Sequence, residues 1–196
     1  MSVRVAVPVE LETYLDELTE ALTSSAELDG LYLLGSAALG GYEHGRSDVD
    51  VVAVTSRSLS HDERRRLATA AEAVPCPARK LELVVYPRGS DAWEINLDTG
   101  EQVAYDPESE PSFWFVIDRA LAERHALPLL GPPWSQLFEP VPRDALLEAI
   151  AASLDSVGLP GAVRALAWIE SGEWLSKPAA EAWLRERVRG DLEGLL

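Results

Sequence analysis

The stretch LYLLGSAALGGYEHGRSDVDVVAV, residues 31–54, decides the fold. It opens with a short apolar run that ends in glycine, residues 31–35, which is typical of a buried β-strand. A glycine-rich segment follows, and DVDVVAV at 48–54 then predicts a second strand. The stretch therefore predicts two strands joined by a loop that brings glycine, serine and acidic residues to the edge of a sheet.

The flanking sequence supplies the rest of a small α+β unit. Leucines at helical spacing predict a helix over residues 8–25, and Ser60 is a suitable cap for a second helix over 60–74. Alternating apolar residues predict a third strand at 80–86, and a fourth at 93–97.

The pattern changes after residue 100. Residues 100–112 are polar, acidic and contain two prolines, so we interpret them as a linker or a domain edge. Beyond it the periodicity predicts only helices, with a proline-rich extended connector between the first two: 112–126, 142–157, 160–171 and 176–189. We therefore predict an α+β protein, with a small mixed-sheet domain over 1–108, an all-helical domain over 109–196, and the active site in the cleft between them.

Charge and composition narrow the class of function. The 196 residues include 33 acidic and 17 basic ones, for a net charge of −16, which disfavours nucleic acid as a partner and favours a cationic small molecule. No apolar stretch reaches the ~20 residues of a membrane span. The N-terminus turns acidic too soon for a signal peptide, and the single Cys76 cannot form an internal disulfide. We therefore expect a cytoplasmic protein that does not bind membranes.

Asp48 and Asp50 are the first candidates for chemistry. Side chains alternate across a strand, so the two carboxylates project from the same face near its start. Like charges this close repel each other unless a cation lies between them. Mg²⁺ takes carboxylate and phosphate oxygens together, so the pair predicts a magnesium site for a phosphorylated substrate.

Gly35, Ser36 and Glu82 extend this hypothesis. Gly35 lets the backbone approach a phosphate closely, and the Ser36 hydroxyl and the amides after it can donate hydrogen bonds to a triphosphate. Glu82 stands in the apolar third strand, where it could be a third metal ligand or a general base for an acceptor hydroxyl.

Each of these residues also has a purely structural interpretation. An Asp-x-Asp pair is common in turns, and Glu82 could lie on an exposed strand face. The ordered combination of strand, Gly-Ser, Asp-x-Asp and strand glutamate is more specific. The motifs GxxxxGK[ST], GxGxxG, HExxH and GxSxG do not occur.

With these residues the sequence resembles the polymerase-beta-like nucleotidyltransferase superfamily, and in particular the aminoglycoside adenylyltransferases that modify streptomycin and spectinomycin. Gly35, Ser36, Asp48 and Asp50 occupy the family's catalytic positions, and Glu82 matches the strand glutamate that the family uses as catalytic base. The helical half is similar too, over LLGPPWSQLFEPVPRDALLEAI at 129–150 and VRALAWIESGEWLSKPAAEAWL at 163–184.

The resemblance implies further roles in the helical half. Family members place an arginine and a lysine there that reach ATP, which implies those roles for Arg164 and Lys177. The sequence ends at Leu196, which would shorten the family's terminal helices. Before Arg164, Asp155 is the one acidic residue in a segment where streptomycin-modifying members place acidic drug contacts.

The resemblance thus implies an enzyme that uses Mg²⁺ and moves AMP from ATP to a hydroxyl of a small polar, cationic acceptor, foremost an aminoglycoside or aminocyclitol antibiotic. Two alternatives remain. The same chemistry could act on a natural product or a protein, or the protein could be a non-catalytic nucleotide-binding or antitoxin-like partner. Nothing in the sequence indicates the oligomeric state.

Overall fold

The structure, a computed structural model, describes residues 7–193 except 155 and 157. The strands are β1 Leu28–Leu33, β2 Val49–Thr55, β3 Leu81–Pro87, β4 Ile95–Asp98, β5 Gln102–Ala104 and β6 Leu127–Leu130. The helices are α1 Val9–Ser25, α2 Gly35–Ala38, α3 His61–Glu72, α4 Ser112–His125, α5 Arg143–Ser153, α6 Leu159–Ser171 and α7 Lys177–Glu193.

One mixed sheet organises the described part of the chain. Its strand order is β5-β4-β3-β2-β1-β6. The central pair β2 and β3 is parallel, whereas all other neighbours are antiparallel. These observations confirm the predicted α+β class.

The two faces of the sheet are covered differently. Odd-numbered residues of β2, such as Val51, pack with the apolar stripes of α1 and α3. Even-numbered residues, such as Val52 and Val54, pack on the opposite face with Phe115 of α4 and Trp134. Because side chains alternate along a strand, Asp48 and Asp50 belong to the same face as α4.

Most predicted elements form where the sequence indicated. The helix after β2 begins with the expected cap, because the Ser60 hydroxyl accepts from the Glu63 amide while the Glu63 carboxylate accepts from the Ser60 amide. This reciprocal arrangement satisfies two otherwise unpaired amides. All four predicted strands of the first half are present as β1 to β4.

Two segments differ from the prediction. Residues 102–104 form the edge strand β5 rather than a linker. Residues 127–130, which were predicted to lie in an extended connector of an otherwise helical half, form β6 and pair antiparallel with β1. Pro128 obscured this strand, yet an edge strand tolerates proline because one side of it makes no ladder hydrogen bonds. The boundary between domains at residues 108 and 109 stays a prediction.

The helical half has an apolar cluster of its own. Ala120 of α4, Ile150 of α5 and Ala165 of α6 pack together with Trp168 and Trp174. The two tryptophan rings stack with centroids 5.6 Å apart. Within the described residues, none of the helices is both long enough and apolar enough to cross a membrane.

Candidate functional site

The parallel pairing of β2 and β3 brings two predicted site residues side by side. Asp50 is the register partner of Glu82, and the pairing begins where the Val49 amide donates to the Lys80 carbonyl at 2.9 Å. Asp48 precedes β2 by one residue and lies on the same face. The sheet thus gathers all three predicted carboxylates at one end of two neighbouring strands.

The Asp50 carboxyl lies in a strongly negative environment. Burial, the charges of Glu82, Asp118 and Asp48, and a hydrogen bond with Glu82 raise the pKa of Asp50 to about 8. Asp50 therefore holds its proton more tightly than an isolated aspartate does.

Gly35 is fitted against Asp50. The Leu34 amide donates to the Asp50 carbonyl at 2.8 Å, which fixes the chain just before α2 to the strand. Gly35 then adopts a φ of +57°, and a Cβ at this position would overlap Oδ2 of Asp50. Only glycine permits both this conformation and this approach.

Glu82 is held by a mostly buried lysine. Lys80 Nζ lies 3.0 Å from Glu82 Oε1, 3.2 Å from Asp98 Oδ2 and 2.9 Å from Glu101 Oε2. Burial opposes the charge of Lys80, but these carboxylates raise its pKa above the ordinary value. Burial also raises the pKa of Glu82 although Lys80 acts to lower it, so Glu82 is a stronger base than a free glutamate.

Asp48 is engaged by Arg79, which sequence reasoning missed. Arg79 Nε donates to Asp48 Oδ1 at 2.7 Å, and Nη2 donates to Oδ2 at 2.5 Å. This two-point pairing raises the pKa of Arg79. Arg79 directly precedes Lys80, so neighbouring cations hold two of the three predicted carboxylates.

A fourth acid, Asp118 of α4, also faces the site and was not predicted. Asp118 is exposed to solvent, although many protein atoms surround its carboxyl group and partly desolvate it. Desolvation and the charge of Glu82 raise the pKa of Asp118 to about 7, while Arg164 acts to lower it. Asp118 is the single acid in the mostly apolar run FWFVIDRAL. An acid among apolar residues is the same kind of signal that identified Glu82 as a candidate.

Arg164 of α6 lies near two of these acids, Asp118 and Asp50. Its pKa is lowered by burial, while the charges of Asp118 and Asp50 act in the opposite direction. Its Nε donates to the Leu175 carbonyl at 2.7 Å, which ties α6 to the turn before α7. Arg164 thus places a partly buried cation beside the acids.

Lys177 lies at the exposed start of α7, next to the loop that follows α2. The preceding Ser176 accepts a hydrogen bond from the Ala179 amide at 3.4 Å. A Cβ on Gly41 would come within 2.8 Å of the Ser176 Cβ, and the Gly41 amide donates to the Ser36 carbonyl at 2.8 Å. The structure therefore brings the loop of Ser36 to the start of α7. Asp155 lies outside the described residues.

The donor chemistry of the site suits a hard divalent cation. Carboxylate oxygens are the ligands that Mg²⁺ prefers, and a cation would relieve the repulsion that contributes to the raised pKa of Asp50. Within the described residues, however, no three His, Cys, Asp or Glu side chains are arranged to hold a metal ion. Arg79 and Lys80 instead engage Asp48 and Glu82.

Comparison with solved structures identifies the fold. Spectinomycin adenyltransferase AAD(9) from Enterococcus faecialis, solved with ATP and spectinomycin, aligns at a TM-score of 0.70 and 16% sequence identity. The alignment covers 89% of this chain and 82% of that one. The fold is that of this adenyltransferase. The predicted resemblance is thereby confirmed at the level of the fold.

Other comparisons add little. A tri-AMPylated Shewanella oneidensis HEPN toxin in complex with MNT antitoxin aligns over 74% of this chain and 87% of that one, at 14% identity and a TM-score of 0.36. A toxin–antitoxin structure with AMP-PNP gives the same TM-score and identity over 72% and 87% of the two chains. Similarity this weak supports no inference. No protein-family model and no curated protein sequence matches the chain.

Proposed function

We propose that the protein is a nucleotidyltransferase that moves AMP from ATP to a hydroxyl group of a small cationic acceptor, foremost an aminoglycoside or aminocyclitol. The pairing of Asp50 with Glu82 beneath Gly35 carries this proposal. In this proposal Gly35 lets phosphate approach, Asp50 contributes to cation binding and Glu82 is the base, and all three lie at one end of the sheet. The adenyltransferase with the same fold was solved with ATP and spectinomycin, which supports the same class of substrates here.

Glu82 is the base in this proposal. Its Oε1 contacts Lys80 Nζ at 3.0 Å, which orients the carboxylate and leaves Oε2 to accept the acceptor's hydroxyl proton. The deprotonated oxygen attacks the α-phosphorus of ATP, a new P–O bond forms, and the bond to the bridging oxygen breaks. Pyrophosphate leaves with the electron pair of that bond, and the acceptor gains AMP.

The remaining residues hold the nucleotide. Gly35 and Ser36 receive the β and γ phosphates, because the glycine lets the backbone approach without a side chain. Arg164 and Lys177 counter the triphosphate charge from the helical half. Asp48 and Asp50 would hold Mg²⁺. When bound there, Mg²⁺ supplies charge neutralisation at the phosphates.

The acidic character of the site favours a cationic acceptor. Asp118 adds a fourth carboxylate that is open to solvent, and the whole chain carries a net charge of −16. Such a field attracts amines.

The direct test measures pyrophosphate release from Mg-ATP across a panel that includes spectinomycin and streptomycin. We expect release with at least one amine-bearing acceptor, and mass spectrometry should find that acceptor heavier by one AMP. Glu82→Gln should abolish release while leaving ATP binding intact. Glu181→Gln, at a side chain 61% exposed and paired with the exposed Arg185, is the matched control and should behave as wild type. ATP binding without release for any acceptor would contradict the proposed acceptor class, and absence of ATP binding would contradict the enzyme itself.

A further inference from the structure

Arg79 forms hydrogen bonds with both carboxylate oxygens of Asp48, a residue that is expected to bind metal. The two donor–acceptor distances are 2.7 Å and 2.5 Å, so the guanidinium fork matches the carboxylate plane. The Arg79 amide also donates to the Ser47 carbonyl at 3.2 Å. The two backbone segments that lead into β2 and β3 are therefore hydrogen-bonded to each other beside the ion pair.

Exposure differs between the two partners. The Asp48 side chain is 18% exposed, whereas that of Arg79 is 56% exposed. The guanidinium can therefore move into solvent while the carboxylate stays in place. A divalent cation that binds Asp48 has either to share its oxygens with these two donors or to displace one of them. Both cost binding free energy, because like charges then approach each other or a hydrogen bond is lost.

We propose that Arg79 competes with the divalent cation for Asp48, so that it neutralises this carboxylate in the metal-free protein and weakens metal binding. This inference rests on the proposed function in one respect, the assignment of Asp48 as a metal ligand. Arg79 is thus a determinant of metal affinity that does not itself bind metal.

The test is a titration with Mn²⁺ alone, without nucleotide, followed by the electron paramagnetic resonance signal of the free ion. We expect Arg79→Gln to bind Mn²⁺ about fivefold more tightly than wild type. An exposed ion pair contributes up to about 1 kcal/mol, which corresponds to about a fivefold change in affinity. Arg79→Lys retains the charge but loses the two-point hydrogen bonding, so its Mn²⁺ affinity should lie between those of wild type and Arg79→Gln.

Arg88 offers a matched control at the other end of β3. It pairs with Asp29 at 2.9 Å, with side-chain exposures of 58% and 21% that resemble those of the Arg79 pair. Arg88→Gln removes the same charge and should leave Mn²⁺ affinity unchanged. A double-mutant cycle with Asp48→Asn should erase the effect of Arg79→Gln, because the contested carboxylate is then absent.

Equal Mn²⁺ affinity in wild type and Arg79→Gln would overturn the inference, as would a wild-type affinity in Arg79→Lys. Persistence of the effect in Asp48→Asn would also overturn it. Thermal unfolding of each variant verifies that it is folded. If Arg79→Gln does not fold, the comparison is made between wild type and Arg79→Lys. The proposed transfer reaction is judged separately by pyrophosphate release, so tighter Mn²⁺ binding without turnover would retain this inference and reject the reaction.

Discussion

Gly35 and Asp50 are so close that a single methyl group on the glycine would overlap the Asp50 carboxylate. The loop that is proposed to receive phosphates and the strand that is proposed to hold the cation therefore form one rigid contact. The geometry of one cannot change without moving the other.

Gly35→Ala should disrupt this contact. The substitution introduces a side chain at positive φ, which costs about 1–2 kcal/mol, and adds a clash with Asp50. A displacement of about 1 Å at a reacting centre reduces turnover by roughly 100-fold. Urea unfolding and pyrophosphate release measure the two effects.

Gly45→Ala is the control for this prediction. Gly45 has a φ of +73° with no atom within 4 Å of a built Cβ, so it carries the same backbone strain without the clash. It should lose stability but retain turnover. Equal turnover in the two variants would show that the contact with Asp50 has no role in the reaction.

Asp50→Asn should change how stability depends on pH in metal-free protein. The pKa of Asp50 is raised to about 8 by burial and neighbouring acids, whereas the unfolded chain loses this proton near pH 4. The native state thus binds more protons than the unfolded state, so its stability falls as pH rises from about 4 to about 8. Asparagine removes the part of this dependence that Asp50 contributes.

The comparison requires EDTA and two pH values. At pH 8 the variant should exceed wild type by at least about 1 kcal/mol in the free energy of unfolding, and at pH 4 the two should agree. A constant difference at both values would indicate a packing effect instead.

Lys80→Met should destabilise the protein and misplace Glu82. The lysine side chain is 10% exposed and forms ion pairs with Glu82, Asp98 and Glu101. Its loss therefore leaves three carboxylates without their shared cation. We expect a loss of about 1–3 kcal/mol, below the range for fully buried pairs. The deficit should shrink as pH falls, because protonation relieves the repulsion. Arg46→Met removes a pair with exposures of 82% and 50% and should have no measurable effect in the same urea titrations.

Arg164→Ala should weaken ATP binding by about tenfold or more, since hydrogen bonds to charged groups contribute about 1.5–3 kcal/mol. The residue places a cation near Asp50 and Asp118, and it holds the Leu175 carbonyl before α7. Isothermal titration with ATP measures the change. Arg185→Ala, at an exposed pair with Glu181 in α7, should bind ATP as wild type does.

The sequence predicted the parts of this site that depend on strand periodicity. Alternation placed Asp48 and Asp50 on one face, and the apolar surroundings of Glu82 placed it in a strand. Their meeting required the parallel register of β2 and β3, which a single sequence does not specify. That convergence was expected only from the ordered motif.

The cations and the fourth acid were harder to foresee. Arg79 and Lys80 precede a strand, and their partners Asp48, Asp98 and Glu101 lie on other segments, so no local pattern assigns these contacts. Asp118 reaches the site only because α4 packs across the face that carries Val52 and Val54. The strand β6 was missed because Pro128 disfavours the strand pattern that its neighbours support.

The pairing of β6 with β1 also determines how this chain can be divided. A fragment that ends at residue 108 would lack β6 and leave β1 with a row of unpaired amides and carbonyls. Exposed strand edges recruit other chains and promote aggregation. Modules exchanged between related proteins should therefore be joined beyond residue 130, where the sheet is complete.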